Sequence, residues 1–177
     1  MKNTLLLTAA LAVAVCAFLP ASKAHAQKSK NVYKFGVITP EEIEMTRYAR
    51  DTAANAVILF YIGSIEFKDA LNAVYKRHTR IKFFTNDGIE EWANKVLNYY
   101  QSDQNITKVK GSTYNYENGK LVESKLDETG IFKDKVNKIK NSVKFTLPNV
   151  KPGSIIEYSY TKTMYAVVPF WFFQTTI

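Results

Sequence analysis

Apolar positions along this chain fall mostly into short runs of period two, separated by turn residues. Between residues 75 and 84 the alternation is regular. Tyr75, Arg77, Thr79, Ile81 and Phe83 share one face, and Lys76, His78, Arg80, Lys82 and Phe84 share the other, which reads as solvated. Residues 56–62 are continuously apolar and stop at Gly63-Ser64, the pattern of a buried strand. Asn118-Gly119 separates two strand-like runs, residues 109–117 and 120–126. Both positions of a type I′ turn need positive φ, so the pair predicts a two-residue hairpin with Glu117 opposite Lys120, Tyr116 opposite Leu121 and Tyr114 opposite Glu123. A second hairpin is expected from residues 142–147 and 154–161, with Pro152-Gly153 in a type II turn between them.

Helical signals are few. Thr39-Pro40-Glu41-Glu42 has the spacing of a capping box, with Pro40 at the first helical position and Ile38 placed to staple onto Ile43. A short helix over residues 40–50 is expected. Asn86-Asp87-Gly88 reads as a turn. Beyond it Ile89, Trp92, Ala93, Val96, Leu97 and Tyr100 fall at helical spacing, but residues 96–100 fit a strand equally well. Short strands with turns between them predict a mainly β chain: an antiparallel β-sandwich with a short N-terminal helix.

The two ends differ from this pattern. Residues 4–19 are small and apolar, Pro20 breaks the run, and Ala24-His25-Ala26 is an A-x-A cleavage pattern before Gln27. Residues 1–26 therefore read as a signal peptide, 27–34 as a polar tether and 35–177 as the β-sandwich domain. The leader run falls short of the roughly 20 apolar residues of a membrane anchor, so the expected location is outside the cytoplasm, in the periplasm or cell envelope. Val15 occupies a position where lipid attachment at Cys16 wants a small residue. Cys16 is the sole cysteine, so no thiol and no disulfide remain after cleavage. At the other end, residues 167–177 are strongly apolar and stop without a turn or a charged tail, which leads us to expect a domain incomplete at its C-terminus.

Composition narrows the chemistry. A formal net charge of +8 favours anionic partners, such as an acidic envelope polymer; for an exported chain nucleic acid is not among them. His78 is the only histidine after the leader and lies among cations, so it reads as a surface residue rather than a base. Glu41-Glu42 and Glu90-Glu91 read as helix-start acids, and no set of ligands has metal spacing. Lys133, Lys135, Lys138, Lys140 and Lys144 form a basic run that reads as a solvated face. Tyr158, Tyr160, Phe170, Trp171 and Phe172 read as core before sugar platform. No catalytic, cofactor-binding or metal residue is assigned and no cofactor is expected.

The run from Lys144 to Tyr160, KFTLPNVKPGSIIEYSY, followed by Trp171-Phe172-Phe173-Gln174, resembles domain of unknown function family 3857. Thr39-Pro40-Glu41-Glu42, Arg80-Ile81-Lys82, Thr113-Tyr114-Asn115 and Asn118-Gly119-Lys120 fit it in the same order. This family precedes transglutaminase-like domains in exported proteins of Bacteroidota. The resemblance implies a non-catalytic, β-rich module that positions a downstream Cys-His-Asp domain, of which no residue can be carried over here. The alternative is a stand-alone periplasmic module that binds acidic glycan or another envelope polymer.

Overall fold

The computed structural model describes residues 33–165. The expected signal peptide, most of the tether and the aromatic segment with Phe170, Trp171 and Phe172 lie outside the described residues. The elements are α1 (Pro40–Glu44), β1 (Ala56–Phe67), β2 (Asn72–Phe83), α2 (Asn86–Trp92), β3 (Asn94–Tyr100), β4 (Gln104–Glu117), β5 (Lys120–Lys125), β6 (Ile131–Lys135), β7 (Lys140–Thr146) and β8 (Ile155–Tyr165). Two antiparallel sheets form, one in the order β1-β2-β8-β4-β5 and the other β3-β7-β6. The chain is mainly β and sandwich-like, as expected from its alternation.

The core collects inner-face residues of both sheets. Ile81 and Phe83 of β2, Ile106 of β4 and Ile156 and Tyr158 of β8 pack with Val143 and Phe145 of β7. The Asn118-Gly119 hairpin has the expected register, with Glu117 opposite Lys120 and Tyr114 opposite Glu123, and φ is 49° at Asn118 and 76° at Gly119.

Several local expectations are corrected. β1 runs through Gly63-Ser64 to Phe67 and is an edge strand, half-buried rather than buried. Its register slips by one residue between Ile58 and Phe60. The bulge explains the unbroken apolar run: Ile58 lies opposite Ile81 of the inner face, while Phe60 lies opposite Arg80 of the outer face. The helix expected over residues 40–50 ends at Glu44, where the Lys82 ammonium donates to the Ile43 carbonyl at 3.0 Å and satisfies part of the helix end. Asn86-Asp87-Gly88 opens α2 instead of forming a turn, because Thr85 caps it by accepting from the Gly88 amide. The open question over residues 89–100 resolves as helix to Trp92 and strand from Asn94. Glu90 and Glu91 accordingly sit in the later part of α2, not at its start.

Residues 142–147 and 154–161 do not form a hairpin with each other. β7 pairs with β3 and β6, and β8 pairs with β2 and β4. The turn between them is real, with the Ser154 amide donating to the Lys151 carbonyl at 2.9 Å and Gly153 at φ 89°. It carries the chain from one sheet to the other.

Candidate functional site

The outer face of β2 is where the structure departs most from the solvated reading. Lys76 is exposed, but Arg80 and Lys82 are buried, and His78 is largely covered. What covers them is the segment that leads into α1. Tyr33 meets the Phe60 ring edge-on at 5.4 Å, and Phe35 stacks on the His78 ring at 5.4 Å. Phe60, turned outward by the β1 bulge, meets His78 edge-on at 4.9 Å and lies under the Arg80 guanidinium at 4.7 Å.

Two carboxylates neutralise Arg80, while the Lys82 ammonium donates to the Ile43 and Gly153 carbonyls at 3.0 and 2.8 Å. Arg80 and Glu157 face each other across the β2–β8 ladder, and both side chains are fully buried. The Arg80 guanidinium donates to Glu157 Oε1 at 2.8 Å and to both Glu42 oxygens at 2.9 Å. Glu42 also accepts from the Thr39 amide at 2.8 Å, so one side chain completes the capping box and ties α1 to the sheet. His78 Nε2 lies 2.6 Å from Glu157 Oε1; an ionised carboxylate only accepts, so Nε2 carries the proton. The Gly36 amide donates to Glu157 Oε2 at 2.8 Å. Gly36 sits at φ 82°, a conformation that side-chain-bearing residues avoid, and this turns its amide toward the carboxylate. Burial pushes the Glu157 carboxyl up, but the His78 ring, the Gly36 amide and the Arg80 guanidinium outweigh it and hold the carboxyl below the usual carboxylate range.

The cluster therefore contains a histidine, an arginine and two carboxylates, the residue types of acid–base chemistry, bonded to one another and to the N-terminal segment. Ser159 lies opposite His78 across the ladder, but in a central strand whose backbone is engaged on both sides. Among the described residues, no group of three or more His, Cys, Asp or Glu could hold a metal ion.

Beside the cluster, where the N-terminal segment stops covering the sheet, lies an open groove of about 540 Å³. Phe35 and His78 form its wall toward the cluster, and Lys76, Lys108 and Lys110 project along it. The basic run singled out in the sequence is elsewhere: Lys133, Lys135 and Lys138 are solvated on β6 and the turn before β7, and Lys144 pairs with Asp134 at 2.7 Å. Tyr158 is core and Tyr160 half-buried, meeting Tyr75 edge-on at 6.5 Å. Sequence reasoning missed Arg80 and Glu157. Their one local signal was Glu157, an acid within the apolar start of β8, Ile155-Ile156-Glu157-Tyr158.

Residues 70–175 match the family model described as a domain of unknown function with solved structure, DUF3857. The chain belongs to this family. No curated protein matches the chain. Among solved structures, a candidate protease from Parabacteroides distasonis shares the fold with a TM-score of 0.52 at 14% identity; the match covers 62% of this chain and 23% of that one. This DUF3857 chain thus spans about a quarter of the length of that protein. No helix among its described residues is long and apolar enough to cross a membrane.

Proposed function

We propose that this DUF3857 chain is a non-catalytic module of an exported protein, and that it positions a transglutaminase-like, Cys-His-Asp domain that follows it in longer relatives. One observation carries the reading. The side chains best suited to catalysis, His78, Glu157, Arg80 and Glu42, are bonded to one another and to the Gly36 and Thr39 amides, so they clamp the N-terminal segment onto the sheet. A general base must reach a substrate proton, and the His78 ring is largely covered, stacked under Phe35 and edge-on to Phe60. The similarity to a quarter of a longer candidate protease supports a module that accompanies a catalytic domain, since fold kinship alone assigns no activity.

The test is the mass of the native protein in the envelope fraction of its host, read with an antibody against the Asn118-Gly119 hairpin. A mass well above the 20.2 kDa of this chain is expected. A mass just below that value, or peptide hydrolysis by the purified chain that His78→Ala abolishes, would overturn the proposal.

A further inference from the structure

The groove beside the clamp has properties that the positioning role does not use. It crosses four strands of the large sheet. Ser64, Lys76, Thr161 and Thr107 lie in one row across β1, β2, β8 and β4, and Ile62, His78, Ser159 and Lys110 in the next. Three inter-strand spacings make each row about 14 Å long. Cations line it and no carboxylate does; Glu66 reaches the Lys76 ammonium only at 3.9 Å and is not among the lining residues. Glu157 beneath it is already matched by Arg80 and His78.

Lys108 adds an independent observation. A bulge between Thr107 and Lys110 on β4 puts Lys108 at φ 53°, and only two other non-glycine residues among those described have positive φ, both asparagines in turns. Glycine or asparagine would fill this position with less strain. The lysine there is exposed and lines the groove, so the strained backbone aims a cation into it.

We propose that this groove binds an anionic, uronate-bearing glycan, with Lys76, Lys108 and Lys110 pairing the carboxylates and Ser64, Ser159 and Thr161 exchanging hydrogen bonds with sugar hydroxyls. Charge complementarity selects an anion. A sheet face rather than a sheet edge selects the glycan: the groove presents side chains across neighbouring strands, so an extended peptide laid over them would gain no main-chain pairing. Hydroxyl side chains, which both donate and accept, match the hydroxyls of a sugar. Phe35 supplies an apolar ring face at the end of the groove.

The test is calorimetric titration of the purified chain with a galacturonate oligosaccharide, an uncharged malto-oligosaccharide of equal length and an oligoglutamate of equal charge. The galacturonate is expected to bind best, with affinity falling about tenfold between about 50 and 200 mM salt. The triple variant Lys76→Gln, Lys108→Gln, Lys110→Gln is expected to lose binding. Lys108→Gly separates function from folding, because it should raise the urea midpoint while lowering affinity severalfold. Absent galacturonate binding, equal binding of either control ligand, or unchanged affinity in the triple variant would each overturn the proposal.

Discussion

Lys95 gives the sharpest test of the packing. It lies on the inner face of β3, opposite Phe145 of β7, and is 9% exposed. Its ammonium sits 4.8 Å from the Trp92 ring centre and 5.4 Å from that of Tyr158. Burial pushes the Lys95 amine down from 10.5 to about 8, against a smaller upward pull from Glu91. At 1.36 kcal/mol per unit, that displacement corresponds to a penalty of about 3 kcal/mol on the charged form, and attraction to the two rings offsets about 1 kcal/mol of it. Desolvation wins. Between about pH 8 and 10.5 the unfolded chain binds more protons at this site than the folded one, so the contribution of Lys95 to stability rises with pH across that window. Lys95→Met keeps an unbranched stem in the same space and removes the charge. Urea unfolding of both proteins from pH 7 to 10 should show the variant about 2 kcal/mol more stable at pH 7, with the difference closing as pH rises. Subtracting the two curves cancels the tyrosines and other lysines that titrate in the same range. A difference that stays constant with pH would refute the reasoning.

Glu157→Gln should cost about 3 kcal/mol, because it leaves Arg80 buried with half its charge compensation gone, and hydrogen exchange at the Gly36 amide should accelerate with it. Because the Glu157 carboxyl is held low in the folded state, its contribution is present above the ordinary value of 4.5 and is lost as pH falls through the folded value. Acid unfolding should therefore be shallower in Glu157→Gln. Gly88→Ala should destabilise by about 1–3 kcal/mol by the same urea assay, since its Cβ would stand 2.4 Å from the Asn55 carbonyl oxygen, which cannot move without shifting the backbone. Lys108→Gly should stabilise by about 1 kcal/mol by relieving the left-handed conformation, read as a higher urea midpoint.

What the sequence disclosed was what short-range chemistry decides. Asn118-Gly119 set a register to the residue, and Thr39 with Glu42 set a helix start, because each device acts within three residues. The expected β7–β8 hairpin failed for a complementary reason. Pro152-Gly153 dictates the turn but not which sheet receives the strand beyond it, and that choice rests on pairing with β2 and β4. The solvated reading of Arg80 and Lys82 failed because their partners are far away in the chain. Glu42 lies 38 residues from Arg80, Glu157 lies 77 away, and Lys82 donates to the carbonyls of Ile43 and Gly153. Alternation reports which residues share a face; what covers that face depends on distant segments.

The same β2 face accounts for both the clamp and the groove. Its basic side chains stand at every second position, Lys82, Arg80, His78 and Lys76, and the N-terminal segment crosses only part of the row. Lys82 closes the end of α1, Arg80 binds Glu42, and His78 reaches Glu157 under the Phe35 ring. Past Phe35 the sheet face is open: Lys76 is exposed, with Glu66 reaching it only at 3.9 Å, and Lys108 and Lys110 join it from β4. A covered charge needs partners within the fold to offset a desolvation cost of several kcal/mol. An exposed one carries no such requirement and remains available to a ligand. The edge of the N-terminal segment therefore divides one charged strand face into a part consumed by folding and a part open for recognition. Residues on its two sides should respond differently to neutralisation: Arg80→Met should lower stability with or without ligand, and Lys76→Gln should change binding alone.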